Sequence, residues 1–179
     1  MTLAIIESDP VQKLNEKAEL RGWTFACDRD LQFDAPNLSN VLTLWKMRAS
    51  AGRLPARSDF SARDLMRVLP TLMIAEIIRA GDQVRYRYRY VGTHVAQTIG
   101  ELTGKFLDEA LPEPSRERTT ACYQAVIDAR EPLRFLTKFS LDKISYLCAE
   151  FLSAPLASDG ATVDMVMTVT DFRPPPQFK

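Results

Sequence analysis

Residues 72–91 read LMIAEIIRAGDQVRYRYRYV. Leu72 to Ile78 is an apolar, β-branched run. Ala80-Gly81-Asp82-Gln83 supplies turn chemistry, and Val84 to Val91 interleaves arginine with tyrosine. Two such runs joined at a Gly-Asp step form a β-hairpin. Period two sets Tyr86, Tyr88 and Tyr90 on one face and Arg85, Arg87 and Arg89 on the other. The tyrosines are expected over a core and the arginines on the outer sheet face. A tight turn at Gly81-Asp82 sets Glu76 opposite Arg87, which neutralises part of the arginine row.

Downstream of the hairpin the period changes. Between Thr93 and Ala129 no comparable strand signal occurs. Val95, Ile99, Leu102, Phe106, Leu107 and Leu111 fit short helical pieces punctuated by Gly100, Gly104 and Pro112. Pro114-Ser115 opens a longer helix to about Ala129. Three strands follow, over Leu133 to Ser140, Ile144 to Leu156 and Val163 to Phe172, with turns at Leu141-Asp142-Lys143 and Ala157 to Gly160.

Upstream, a helix is expected from Ser39, an N-cap residue type, to Gly52, with Val41, Leu42, Leu44, Trp45 and Ala49 on its apolar face. Ser61 and Asp64 have capping-box spacing and start a short helix that ends at Pro70. Residues 1–37 read as an extension. It holds a charged helix over Pro10 to Arg21, then Trp23, Phe25, Leu31 and Phe33 alternating with polar residues. The expected fold is α+β: one five-stranded antiparallel sheet, in the order ββ-helices-βββ, with helices on one face and an N-terminal helical extension. Residues 38–173 form the domain, and 174–179, with three consecutive prolines, form a disordered tail.

Composition narrows the function classes. Across 179 residues, 23 basic side chains balance 23 acidic ones, so no net field draws in nucleic acid or anionic lipid. No run approaches the roughly 20 apolar residues of a membrane span, and the start lacks a basic, then apolar, secretion signal. Cys27, Cys122 and Cys148 are widely spaced and odd in number, as reduced thiols in a cytosol would be. A cytoplasmic protein is expected, with no nucleic-acid or membrane partner.

Several segments, taken in order, resemble the PAS domain family. They are Tyr90-Val91-Gly92-Thr93, and then Ile99-Gly-Glu-Leu-Thr-Gly-Lys-Phe-Leu-Asp108, which is similar to the string that shapes the central helices of that family. Leu54 to Phe60, Leu69-Pro70 and Glu150 to Leu156 are similar to a bacterial, largely alphaproteobacterial, single-domain PAS group. The resemblance spans about residues 38 to 173. It implies a sensing or scaffolding module, a small cavity between sheet and central helices, and dimerisation through flanking helices.

On that alignment Ile99, Phe106, Leu107, Tyr123 and Val126 form the helical side of a ligand cavity. Phe135, Tyr146 and Met167 close it from the strands. The competing reading is that these side chains fill a close-packed core. Flavin light sensors of the family carry Asn-Cys-Arg-Phe-Leu-Gln where this chain has Thr103 to Asp108, so the reactive cysteine is absent. The long helix offers no histidine for haem, and the single histidine, His94, makes no metal site by itself. No cofactor is expected. No serine has an evident base, and no phosphate-cradling glycine loop occurs, so no catalytic residues are assigned.

Trp45 and the arginines Arg85, Arg87 and Arg89 are the candidate partner-binding residues. The arginine row is open to an acidic partner segment or to Asp28, Asp30 and Asp34 of the extension. An exposed Trp45 with the extension's aromatics would form an apolar patch, and a homodimer is expected to cover it. The function implied is a stand-alone PAS-type sensory module that binds a small apolar ligand, a protein partner or both, with its output in trans. The alternatives are a constitutive scaffold with a filled core and, more remotely, a lyase or isomerase on a similar curved sheet.

Overall fold

The computed structural model describes residues 9–50, 52–140 and 146–173. The hairpin forms as read, with β2 at Leu72–Ala80 and β3 at Gln83–Val91. Glu76 lies opposite Arg87 in register, and their side chains pair at 2.6 Å. The pairing shifts between Ile74 and Ala75, so Tyr88 stands opposite Ala75 while Tyr90 stands opposite Ile74. This bulge moves Tyr90 off the face shared by Tyr86 and Tyr88, because one extra residue reverses the alternation. The Tyr90 hydroxyl donates instead to the Leu69 carbonyl at 3.0 Å.

Helices α4 (Thr93–Ile99), α5 (Leu107–Ala110) and α6 (Ser115–Ala129) follow. Strands β4 (Leu133–Ser140), β5 (Tyr146–Leu156) and β6 (Met165–Arg173) come last. The α+β class and the ββ-helices-βββ order are those expected. The sheet has a sixth strand, β1 at Phe25–Asp28, which comes from the extension and pairs antiparallel with β4. The spatial order is β1-β4-β5-β6-β2-β3. The alternation of Trp23 and Phe25 with polar residues was strand chemistry, and four residues proved enough because β4 supplies a ready edge.

Each sheet edge is capped at one residue. At β1, the Asn15 carboxamide donates to the Cys27 carbonyl at 2.8 Å and accepts the Cys27 N–H at 2.9 Å. Asn15 sits on α1 (Pro10–Arg21), which is capped by Asp9 and ends at Gly22 in the left-handed conformation. At β3, Tyr88 donates to the Lys105 carbonyl and accepts from the Gly104 N–H.

Helices cover both faces rather than one. The inner face, which carries Phe135, Phe151, Ser153 and Thr168, lies under α4 to α6. The outer face carries Leu152, Ala154, Met167 and Val169, each no more than 1 % exposed. Helix α2 (Pro36–Arg48) runs along it, from Asp34, whose N–H donates to Glu150, to Trp45, whose indole N–H donates to the Pro155 carbonyl at 3.0 Å. The short helix α3 (Ala62–Leu65) carries the Ser61–Asp64 capping box. Helix α2 starts three residues before Ser39, because Pro36 at its first turn has the right φ and lacks an N–H that would go unbonded. It ends at Arg48, where Ala49 turns extended.

One carboxylate is buried among this outer cover. Glu150, 3 % exposed, receives Arg134 and Arg173 at 2.8 Å each. Asp28 pairs with Arg134 and Asp34 with Arg173, so these two aspartates of the extension meet β4 and β6 and not the β3 row.

The chain turns from β3 into α4 at Gly92, where a Cβ would stand 2.3 Å from the Leu69 carbonyl oxygen. Only glycine fits that approach. Gly92→Ala is expected to lower stability by roughly 1–3 kcal/mol, the usual overpacking range. A urea midpoint within error of the parent protein would show that the Leu69–Thr71 turn yields without cost.

Candidate functional site, a cavity between sheet and helices

A cavity of about 300 Å³ opens between the inner sheet face and the helical layer. Period two builds its floor. Met73 of β2 and Tyr88 of β3 stand at one side, with Phe25 of β1 at the other. Between them lie Thr137 of β4, Phe151 and Ser153 of β5, and Thr168, Thr170 and Phe172 of β6. The roof is Val95 and Ile99 from α4, Leu111 and Pro112, and the first two turns of α6 through Ser115, Arg118, Thr119, Cys122 and Tyr123. Ile99, 40 % exposed, marks the rim.

The floor is a stripe of hydroxyls between aromatic rings. Thr137, Ser153, Thr168 and Thr170 are all buried, though polar. Ser153 and Thr168 lie opposite each other in register and share a hydrogen bond of 2.9 Å. Thr137 donates to the Thr24 carbonyl at 3.3 Å. A hydroxyl carries one donor and two acceptor lone pairs, so each retains capacity for a further partner. Phe135 stacks under Phe151 at 4.9 Å and stiffens that wall.

The titratable groups of the cavity are held neutral. Burial pushes the Cys122 thiol up to about 12 and the Tyr88 phenol, hydrogen-bonded to Tyr123, up to about 12. Burial and the neighbouring Tyr88 push Tyr123 well above the usual phenol value. A neutral thiol is a weak nucleophile. Cys27, on the inner side of β1, is also pushed up by burial. Among the described residues no cluster of histidine, cysteine and carboxylate could hold a metal ion. His94 instead packs edge-on against Phe172 at 5.7 Å.

Of the residues singled out from sequence, Ile99 and Tyr123 line the cavity. Phe106 lies under the Arg85 guanidinium, 3.8 Å from its ring centre. Leu107 packs beneath α5 and faces a separate groove beside α1. Val126 and Phe135 are fully buried core, and Met167 points from β6 to the outer face. Tyr146 begins β5, and its side chain lies outside the described residues, as do the Leu141–Lys143 turn and the 174–179 tail. The hydroxyl stripe was missed. Its signal was present as polar residues at alternate positions in otherwise apolar strands, Thr168 and Thr170 above all.

The partner-binding candidates are engaged within the chain. Trp45 is 7 % exposed, buried by the outer sheet face, and so contributes to no surface patch. Arg85 grips Asp108 with two bonds of 2.9 Å and reaches Glu109 at 2.7 Å. That guanidinium holds the Asp108 carboxyl below the usual carboxylate range. Arg87 and Arg89 both reach Glu76.

An antiparallel sheet roofed by a helical excursion, with a cavity between the two, defines a class of α+β domain. The chain belongs to the PAS domain family, whose model matches residues 33–170. Domains of this family are generally sensory rather than catalytic. Among solved structures, an RNA-binding light-oxygen-voltage receptor is similar at 13% identity and a TM-score of 0.41, over 83% of this chain and 38% of that one. The chain thus spans well under half of that receptor's length. No curated protein matches it. No helix among the described residues is long and apolar enough to cross a membrane.

The buried thiol makes stability pH-dependent. The Cys122 thiol ionises near 9 in the unfolded chain and near 12 in the folded one. Between those values the unfolded state has lost a proton that the native state keeps, so raising the pH favours unfolding. Urea midpoints are expected to fall from pH 9 upward, with at most about 1.4 kcal/mol per pH unit from one such group. Cys122→Ala should flatten that slope whatever it does to stability at pH 7. Parallel slopes for the two proteins would show that the thiol is solvated.

Proposed function

We propose that this chain is a sensory module that binds one small ligand between its sheet and helices and passes the bound state to another polypeptide. The carrying observation is the hydroxyl-floored, aromatic-walled cavity of about 300 Å³. That volume stands at the small end of ligand pockets, roughly 300–1,000 Å³. Four buried hydroxyls along one wall suit a ligand with a hydrogen-bonding edge as well as an apolar body, in place of the purely apolar one expected from sequence. A scaffold with a filled core would have no use for polar side chains there.

The reading is of a binder and not a catalyst. The lining groups are hydroxyls, neutral phenols, a neutral thiol and one arginine, and acid–base chemistry needs a group that titrates near neutrality. Output through the roof is the natural route. Segments α4 and α5 are short and interrupted by Gly100 and Gly104, and the Arg85 clamp ties α5 to β3. Ligand occupancy that favours one position of the roof shifts this clamp, and it does so only through differential affinity for two states. A cytoplasmic location and a protein partner go with this reading. The homodimer loses its first ground, because Trp45 is covered within the chain.

Native mass spectrometry of the purified protein is expected to show a retained small molecule, or a small-molecule screen is expected to raise the thermal midpoint by several degrees. Ser153→Leu, which places a larger side chain on the floor, should abolish either signal while circular dichroism stays native. Absence of both signals in the parent protein would favour the constitutive scaffold.

A further inference from the structure

Thr170 is 6 % exposed and lines the cavity, and its hydroxyl finds no hydrogen-bond partner among the described residues. It stands two residues from Thr168 on the same face of β6, with Phe151 opposite it in register. Ser153 and Thr168 carry two hydroxyl protons, and the hydrogen bond they share uses one. The floor therefore holds two neighbouring O–H donors with no acceptor among the described residues. A spare lone pair is tolerated more readily than a buried donor without an acceptor. The lining includes no carboxylate, carboxamide or imidazole side chain to receive them. Arg118, the one charged group of the lining, is already engaged within the fold.

We infer that the ligand is an uncharged, flat molecule that presents a carbonyl-type acceptor to Thr170 and the Ser153–Thr168 pair, with its ring among Phe25, Phe151 and Phe172. This inference rests on the reading of the cavity as a sensory site. The lining selects against charge. A cation would meet no carboxylate, and an anion no guanidinium left over, in a part-buried site. A carbonyl oxygen has two lone pairs and no proton, so it can accept from one donor or from both. A ligand amine would add donors where donors already lack partners. The aromatic walls favour a flat body by edge and face contact, and a volume of about 300 Å³ accommodates one ring or two fused rings.

The probes are 1-indanone, its parent hydrocarbon indane, and two charged counterparts, 1-aminoindane and indane-1-carboxylate, tested at pH 7 by titration calorimetry and thermal shift. The ketone is expected to bind about ten-fold or more tightly than either charged counterpart. Thr170→Val keeps the shape and removes the hydroxyl. It should weaken the ketone by about three- to ten-fold, the worth of one neutral hydrogen bond, without weakening indane. Thr170→Ser, which keeps a hydroxyl, should hold the ketone within a few-fold of the parent protein. Should Thr170→Val not fold, Thr170→Ala gives the same reading through the ratio of ketone to hydrocarbon affinity. Ser153→Leu should abolish binding of both. A ratio unmoved by loss of the hydroxyl, or a charged counterpart that matches the ketone, overturns the neutral-acceptor assignment but leaves a ligand-binding cavity standing. A retained molecule in the mass spectrum that is charged, or that lacks an acceptor, does the same. If no probe binds and no molecule is retained, the assignment and the sensory reading fall together.

Discussion

A β-sheet that is apolar on both faces has to be covered twice, and this requirement governs most of the architecture. On the inner side Val166, Phe135 and Leu133 demand a roof. On the outer side Leu152, Ala154, Leu156 and Met167 demand one equally, and all seven are essentially inaccessible. The helices between β3 and β4 satisfy the first demand. The second falls to the residues before β2, which is why Trp45 lies against the sheet and why α2 runs beside β5. The segment ahead of β2 is therefore part of the packing unit and not an ornament added to it.

Charge fixes where that outer cover begins. A carboxylate taken out of water costs several kcal/mol unless it is paired and hydrogen-bonded. Glu150 meets the condition by drawing in Arg134 from β4, Arg173 from β6 and the Asp34 N–H from the segment that leads into α2. Three strands and the incoming chain converge on one side chain. Removing either arginine would leave much of a buried charge unbalanced, a change worth about 3–5 kcal/mol in comparable cases. The exposed pairs on α1, such as Lys17 with Glu117, are worth far less.

How much of this was written legibly in the sequence depends on the range of the interaction. The β2–β3 hairpin, the Ser61–Asp64 cap, helix α6 and the last three strands follow from local periodicity and turn chemistry, and all emerge within a few residues of their expected bounds. The Glu76–Arg87 pair followed from turn position alone. The bulge at Ile74 did not, because register is set by contacts on both sides of β2, and it moved Tyr90 to the other face. Strand β1 was hidden for a related reason: a four-residue strand has little propensity of its own and exists because β4 offers an edge. Cavity residues proved the hardest. Ile99 and Tyr123 came from the family resemblance and not from pattern, while Met167 and Phe135 are apolar at alternating positions, and periodicity does not say which face of a doubly covered sheet is hollow. The polar exceptions in β6 carried that information.

The capping of each sheet margin at one residue has a bearing on how this domain meets other polypeptides. The outward backbone groups of Cys27 are taken by the Asn15 carboxamide, and those of Tyr88 by the Gly104–Lys105 segment. Neither terminal strand is left as a free template at these points, so a visiting chain has little opportunity to continue the ladder, and runaway self-association by strand addition is disfavoured.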